Sequence, residues 1–317
     1  MFLLSDIVNK ISNKLRDGKK EQTFQEVAEE WLNYKKNMVK ESTYSNYVYS
    51  VEKYLYPEYG EMKINKIRNC NDFIYNLSDT LAPKTVRDII TKLKAIFKYY
   101  EEEYNQKLNI KKMSLPKLGK NQLKILSKKE KEKLENYCLK EDTLKSLGII
   151  ICLNTGMRVG EICALKWENV DLDKKIISVK KTLQRVYLKK EKKSVILIDT
   201  PKSNSSIRDI PINKKLYEIL KRMKGRHKGE DYVLTGSSTK YVEPRNYQHT
   251  FKMILKKCKI KSYKFHILRH TFATNCIEVG MDIKSLSEVL GHSDVNVTLN
   301  IYVHSSDKTK KKFLEKL

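Results

Sequence analysis

The hydrophobic periodicity of this chain breaks once, between Asn109 and Lys124, and that break constrains the fold more than any other feature. The stretch NIKKMSLPKLGKNQLK combines lysines with Pro116 and Gly119, so residues 109–125 read as an extended linker between two domains. Before it, apolar residues recur at helical spacing. Thr23-Phe24-Gln25-Glu26 has capping-box spacing, and Phe24, Val27, Ala28, Trp31 and Leu32 then mark one face of an amphipathic helix. A second helix carries Tyr44, Tyr47, Val48, Val51 and Leu55 and is expected to end before Pro57 and Gly60; a third is expected from Ile64 to Leu77. Pro83 opens a fourth, with Val86, Ile89, Ile90, Leu93, Phe97 and Tyr100 on one face. Residues 23–108 thus read as a small helical domain, preceded by a short polar arm at 1–22.

After the linker the period changes twice. Ser127 and Glu130 again have capping-box spacing ahead of a helix, and a further helix runs through Leu144, Leu147, Ile150 and Ile151 to stop at Gly156. A third is expected from Met157 to about Trp167. Then Lys175–Lys181, Ser194–Asp199 and Arg208–Pro211 alternate or run β-branched, separated by turn residues at Asp171–Asp173 and Lys202–Ser205, which predicts a small antiparallel sheet. From Lys214 the helical pattern returns. The fold class expected is mainly α with a small antiparallel β-sheet in the second domain, residues 126–317.

Composition narrows the function. Against 38 Asp and Glu stand 64 Lys and Arg, a formal net charge of +26, and such an excess on a folded protein points to a polyanion, most commonly nucleic acid. Only ten of those residues are Arg, so lysine preference explains the choice of cation but not the excess. The longest apolar run, near Gly148 to Leu153, is far short of the roughly 20 residues a membrane span needs. MFLLSDIV lacks a basic n-region and a small-residue cleavage site, so a cytoplasmic location is expected. The six cysteines form no CxxC pair, as befits small hydrophobes in a reducing compartment.

Phosphate loops of the GxxxxGK[ST] type, GxGxxG, HExxH and GxSxG are absent. His266 and His270 stand four apart but find no third ligand at an obvious spacing, so neither metal nor cofactor is expected. His266 and Arg269, three apart on a helix, pair a proton-transfer group with a permanent bidentate cation, the combination that holds and polarises a phosphoryl oxygen. His292 follows a helix-stopping glycine, Tyr302 lies ten residues on, and Arg158 stands in a helical first turn where backbone N–H groups favour an anion.

Taken together these residues resemble the tyrosine recombinase (phage integrase) family, whose pattern runs Arg, Lys, His-x-x-Arg, His or Trp, then Tyr. The chain supplies Arg158 in TGMRVGEICALKW, Lys202 in TPKSNSSIRDIP, His266 and Arg269 in HILRHTFAT, His292 in LGHSDV and Tyr302 in LNIYVH. The connecting text that carries the last two motifs, MDIKSLSEVLGHSDVNVTLNIYVH, is similar as well, and the helical domain has the position and size of the family's core-binding domain. The resemblance implies a two-domain clamp on double-stranded DNA and a homotetramer on paired sites, with an accessory or directionality factor as a further partner. It implies that Tyr302 attacks a scissile phosphate to form a 3′-phosphotyrosyl bond, with His266 as base, Arg158 and Arg269 as the oxyanion clamp, Lys202 as acid to the leaving 5′-oxygen and His292 on the phosphate. Lys189, Lys190, Lys192 and Lys193 compete with Lys202 for the acid role, while Glu161 reads as a buttress for an arginine and His270 as support for the site. A type IB topoisomerase shares this chemistry without exchanging strands, and a DNA-binding regulator that has lost catalysis would need the basic surface but not Tyr302.

Overall fold

The computed structural model describes residues 21–119, 123–188, 193–199, 206–225, 227–302 and 315. The arm at 1–20, Lys202 with its turn through Ser205, the lysines Lys189, Lys190 and Lys192, and the segment 303–314 lie outside the described residues. The chain divides into two compact units, Met1–Lys120 with Val186–Val195, and Asn121–Arg185 with Ile196–Leu317.

Helix α1 (Phe24–Lys36) starts where its cap predicts. Thr23 Oγ1 accepts the Glu26 N–H at 3.2 Å, Glu26 Oε2 accepts the Thr23 N–H at 2.8 Å, and the stripe from Phe24 to Leu32 is buried. Helix α2 (Glu41–Ser50) does not end before Pro57. It passes through a π-helical turn, Val51–Leu55, into α3 (Tyr56–Tyr59). There the Tyr56 N–H reaches back five residues to the Val51 carbonyl, and Pro57 is the second residue of α3.

The single helix expected from Ile64 to Leu77 is two pieces, a 3₁₀ turn at Ile64–Lys66 and helix α4 (Asn71–Thr80). Between them Asn69 Oδ1 accepts the Asn71 N–H at 3.1 Å, a side-chain alternative to the helical ladder. Ile64, Ile67, Cys70, Phe73, Ile74 and Leu77 are all buried, so an unbroken apolar spacing hides the interruption. Helix α5 (Pro83–Tyr104) lays Val86, Ile89, Ile90, Leu93, Phe97 and Tyr100 into the same core. The strap that follows is extended and fastened to this unit. Leu108, Ile110, Met113 and Leu115 pack on the core, Asn71 Oδ1 accepts the Ser114 N–H at 2.8 Å, and Arg87 Nε donates to the Pro116 carbonyl at 2.9 Å.

In the second unit, α6 (Lys128–Glu141) opens on the Ser127–Glu130 capping box, and α7 (Leu144–Thr155) is the central helix, buried along Ile149, Ile150, Ile151, Cys152 and Leu153. Burial of one such aliphatic side chain is worth roughly 1.5–3 kcal/mol, which makes α7 the frame on which the site is hung. The helix expected over Met157–Trp167 shortens to α8 (Val159–Cys163). Beyond Ala164 the backbone pairs elsewhere: the Leu165 carbonyl accepts the Val233 N–H at 2.9 Å and the Trp167 N–H donates to Asp231 O at 3.0 Å.

Strands β1 (Val170–Asp171), β2 (Ile176–Val179), β3 (Thr182–Leu188), β4 (Lys193–Asp199) and β5 (Arg208–Pro211) form two sheets rather than one. β1, β2 and β5 are antiparallel neighbours in that order, with Ile177 opposite Ile210, while β3 and β4 pair separately. Lys180 and Lys181 interrupt the alternating run, and β3 beyond them was not foreseen. Helices α9 (Lys214–Lys224), α10 (Pro244–Lys257), α11 (Ile267–Glu278), α12 (Ile283–Leu290) and α13 (Val295–Tyr302) complete the unit. Among the described residues no helix is long and apolar enough to cross a membrane.

Candidate active site

Two glycines with left-handed backbone organise the site. Gly156 ends α7 and Gly291 ends α12, both at φ +66°. At Gly156 a Cβ would stand 2.6 Å from Phe272 and 2.8 Å from Leu290, so the position excludes a side chain on packing as well as on conformation. Each glycine carbonyl accepts a guanidinium from the far side of the site. Arg269 Nη1 donates to Gly156 O at 2.9 Å, and Arg158 Nη2 donates to Gly291 O at 3.0 Å. The arginine two residues after the first glycine thus braces the second, and the histidine after the second meets the arginine that braces the first.

Arg158 sits at the N-cap of α8 rather than inside its first turn. Its own N–H is taken by Glu161 Oε2 at 2.8 Å, so it is the guanidinium, 36% exposed, that faces solvent. Glu161 is 2% exposed and accepts Arg158 Nη1 at 2.8 Å and Arg208 Nη2 at 3.0 Å, the buttress its spacing suggests. Burial alone would raise its pKa, but Arg208 and then Arg158 outweigh burial and hold the carboxyl below its ordinary value. Arg208, at the start of β5, also donates to Val289 O at 2.6 Å and Ser206 O at 3.0 Å. This third arginine was not assigned a role from sequence, although an arginine three residues before a strand-ending proline in so arginine-poor a chain was an available signal.

Arg269 is 1% exposed. A guanidinium so placed is costly unless its donors are used, and besides Gly156 it meets His292 Nε2 at 2.7 Å from Nη2. His292 Nδ1 in turn stands 2.7 Å from Thr298 Oγ1 in α13. Burial first, then Arg269, Arg158 and Arg208, depress the His292 pKa to about 4. His266 stands at the N-cap position of α11, where its side chain makes no cap hydrogen bond and is exposed to solvent. Desolvation, His270, Arg269 and Arg158, in that order, bring it to about 4 as well. The His270 ring stands edge-on to it at 4.5 Å between centroids. Both His266 and His292 are therefore neutral at pH 7.

The structure thus brings Arg158, His266, Arg269 and His292 together, and α13, which ends at Tyr302, is joined to them through Thr298. Lys202 lies outside the described residues. Thr298, like Arg208, escaped the sequence reading; its place four residues before Tyr302 was the only hint.

Residues 121–309 match the phage integrase family, and residues 23–78 match the phage integrase N-terminal SAM-like domain. A tyrosine recombinase XerC-like protein of Caldanaerobacter subterraneus subsp. tengcongensis is 31% identical, over 87% of this chain and 76% of its own. The integrase of Staphylococcus phage L54a is 25% identical over 100% of this chain and 99% of its own. Among solved structures, the Tn1549 transposon integrase in complex with a circular intermediate DNA superposes with a TM-score of 0.74 at 21% identity, covering 93% of this chain and 99% of that one. A lambda integrase dimer bound to a core site gives 0.65 at 15% identity, over 95% and 83%, so both establish the shared fold. The chain belongs to the phage integrase family of tyrosine recombinases.

Proposed function

We propose that this site-specific DNA recombinase cuts and rejoins duplex DNA through Tyr302, with Arg158, Lys202, His266, Arg269 and His292 as its catalytic set. The observation that carries the reading is the convergence of two guanidinium groups and two neutral imidazoles beside the helix that ends at Tyr302. A phenol with pKa near 10 is a weak nucleophile at neutral pH, and a neutral His266 is suited to take its proton. Tyr302 Oη attacks phosphorus as the bond to the 5′-oxygen breaks. Lys202 protonates that oxygen, leaving a 3′-phosphotyrosyl diester and a free 5′-hydroxyl.

The phosphate carries extra negative charge in the pentacoordinate transition state. Arg158, the more exposed guanidinium, meets it from solvent, while Arg269 acts from the buried side together with His292. The phosphotyrosyl diester conserves the energy of the broken bond, so rejoining by a 5′-hydroxyl from another strand needs no external energy source.

The helical unit at 23–108 serves as the core-binding half of a clamp on the duplex, residues 109–125 as its linker and 126–317 as the catalytic half. Exchange takes place in a homotetramer on paired sites, with the segment after Tyr302 docked on a neighbouring protomer and an accessory factor setting direction. The excess of 26 positive charges supplies the nonspecific attraction to DNA. The test is strand exchange between two duplexes drawn from the DNA flanking the gene, assayed with purified protein. Recombinant products that need both duplexes support the reading; relaxation of supercoiled DNA without exchange overturns it.

A further inference from the structure

His292 is the middle link of a chain that runs from Arg269 to the helix carrying Tyr302. A guanidinium offers hydrogens and no acceptor, so the 2.7 Å contact between Arg269 Nη2 and His292 Nε2 requires the lone pair to lie on Nε2. A neutral ring then holds its proton on Nδ1 and donates it to Thr298 Oγ1, 2.7 Å away. Thr298 is fully buried, whereas Val295, Val297 and Leu299 around it in α13 are exposed. With eight residues, α13 is too short to be stable by its own backbone bonds, and its seat depends on tertiary anchors. Position 302 follows one turn after 298.

We propose that Thr298 is a positioning residue for strand cleavage: its hydroxyl places the proton of His292 and, through that bond, seats the helix that carries the nucleophile. A hydroxyl donates as readily as it accepts. Valine has the shape but neither capacity, and serine keeps both.

The proposal rests on Tyr302 as nucleophile, and its test separates the two. Full-length protein is mixed with nicked duplexes drawn from the DNA flanking the gene, and covalent adduct formation is followed in a single turnover. An adduct with wild type and none with Tyr302→Phe establishes the nucleophile independently. Thr298→Val then slows adduct formation about tenfold or more, a cost of about 1.4 kcal/mol in the barrier, with DNA affinity changed less than about threefold. Thr298→Ser returns the rate to within about threefold of wild type. A valine variant at the wild-type rate overturns the proposal, as do valine and serine variants that are equally slow, since packing alone would then be at work. The DNA-free full-length protein gives a second reading through histidine ¹⁵N resonances at pH 7, with His292 assigned by His292→Asn. A proton on Nδ1 in wild type and loss of that preference in Thr298→Val support the proposal; a proton on Nε2 in wild type contradicts it.

Discussion

Arg269 and His292 share a hydrogen bond of 2.7 Å between Nη2 and Nε2, and only a neutral imidazole can accept it. The almost fully buried arginine and the histidine therefore hold each other in one state: burial and then the charge of Arg269 keep His292 neutral, and the lone pair of His292 occupies a donor of Arg269. The guanidinium groups of Arg269 and Arg158 are held by the carbonyls of Gly156 and Gly291, so a phosphate bound as proposed would meet side chains already fixed in place.

The histidines make stability depend on pH with a defined sign. His266 and His292 titrate at about 4 in the folded protein, against about 6.5 when unfolded. Between those values the unfolded chain binds protons that the native state refuses, so stability falls as pH drops from 6.5 towards 4. Urea unfolding at intervals from pH 7 to 4.5 should show this slope, and His266→Gln/His292→Gln should flatten it. An unchanged slope would place the two pKa values elsewhere.

Glu161 neutralises two arginines from a buried position. Glu161→Gln should lower stability by about 3 kcal/mol or more, because Arg208, 6% exposed, keeps its charge and loses its counterion. Adding Arg208→Met should recover a good part of the loss. Urea midpoints of the single and double variants check this, and additive losses would argue against a coupled network.

Lys202→Ala should abolish cleavage with little loss of DNA binding, since a general acid acts on the leaving oxygen and not on affinity. A substrate with sulfur in place of the bridging 5′-oxygen leaves as a thiolate and needs no acid, so it should restore cleavage to the alanine variant. Rescue of Lys193→Ala instead would move the role to the neighbouring lysines.

Truncation after Asp307 removes Phe313, Leu314 and Leu317, three of the four apolar residues that follow Tyr302. Strand exchange should fall much more than binding to a single site, as gel shifts and recombination assays on the same DNA would record. Equal loss of both would contradict docking between protomers.

Capping boxes and apolar stripes made most of the fold legible in the sequence. Thr23 and Ser127 start helices where their spacing says, because a cap is a local device. The failures had two sources, one non-local and one a local turn masked by the apolar spacing. The chain after Ala164 leaves its helix to pair with the Asp231–Val233 backbone, and the break at Asn69 lies inside an apolar spacing that looks continuous. At the site, Arg158, His266, Arg269 and His292 were legible as motif letters, whereas Arg208 and Thr298 act only through partners, Glu161 and His292, that sequence spacing does not bring near them.

The nucleophile is the central claim, and covalent capture tests it most directly. Wild type and Tyr302→Phe would be incubated, without metal or ATP, with duplexes nicked beside the scissile phosphate and drawn from the DNA flanking the gene, then run on denaturing gels. A slow-migrating protein–DNA adduct with wild type alone is the predicted result, and its position maps the target site. An adduct that survives Tyr302→Phe would show that another residue attacks the phosphate.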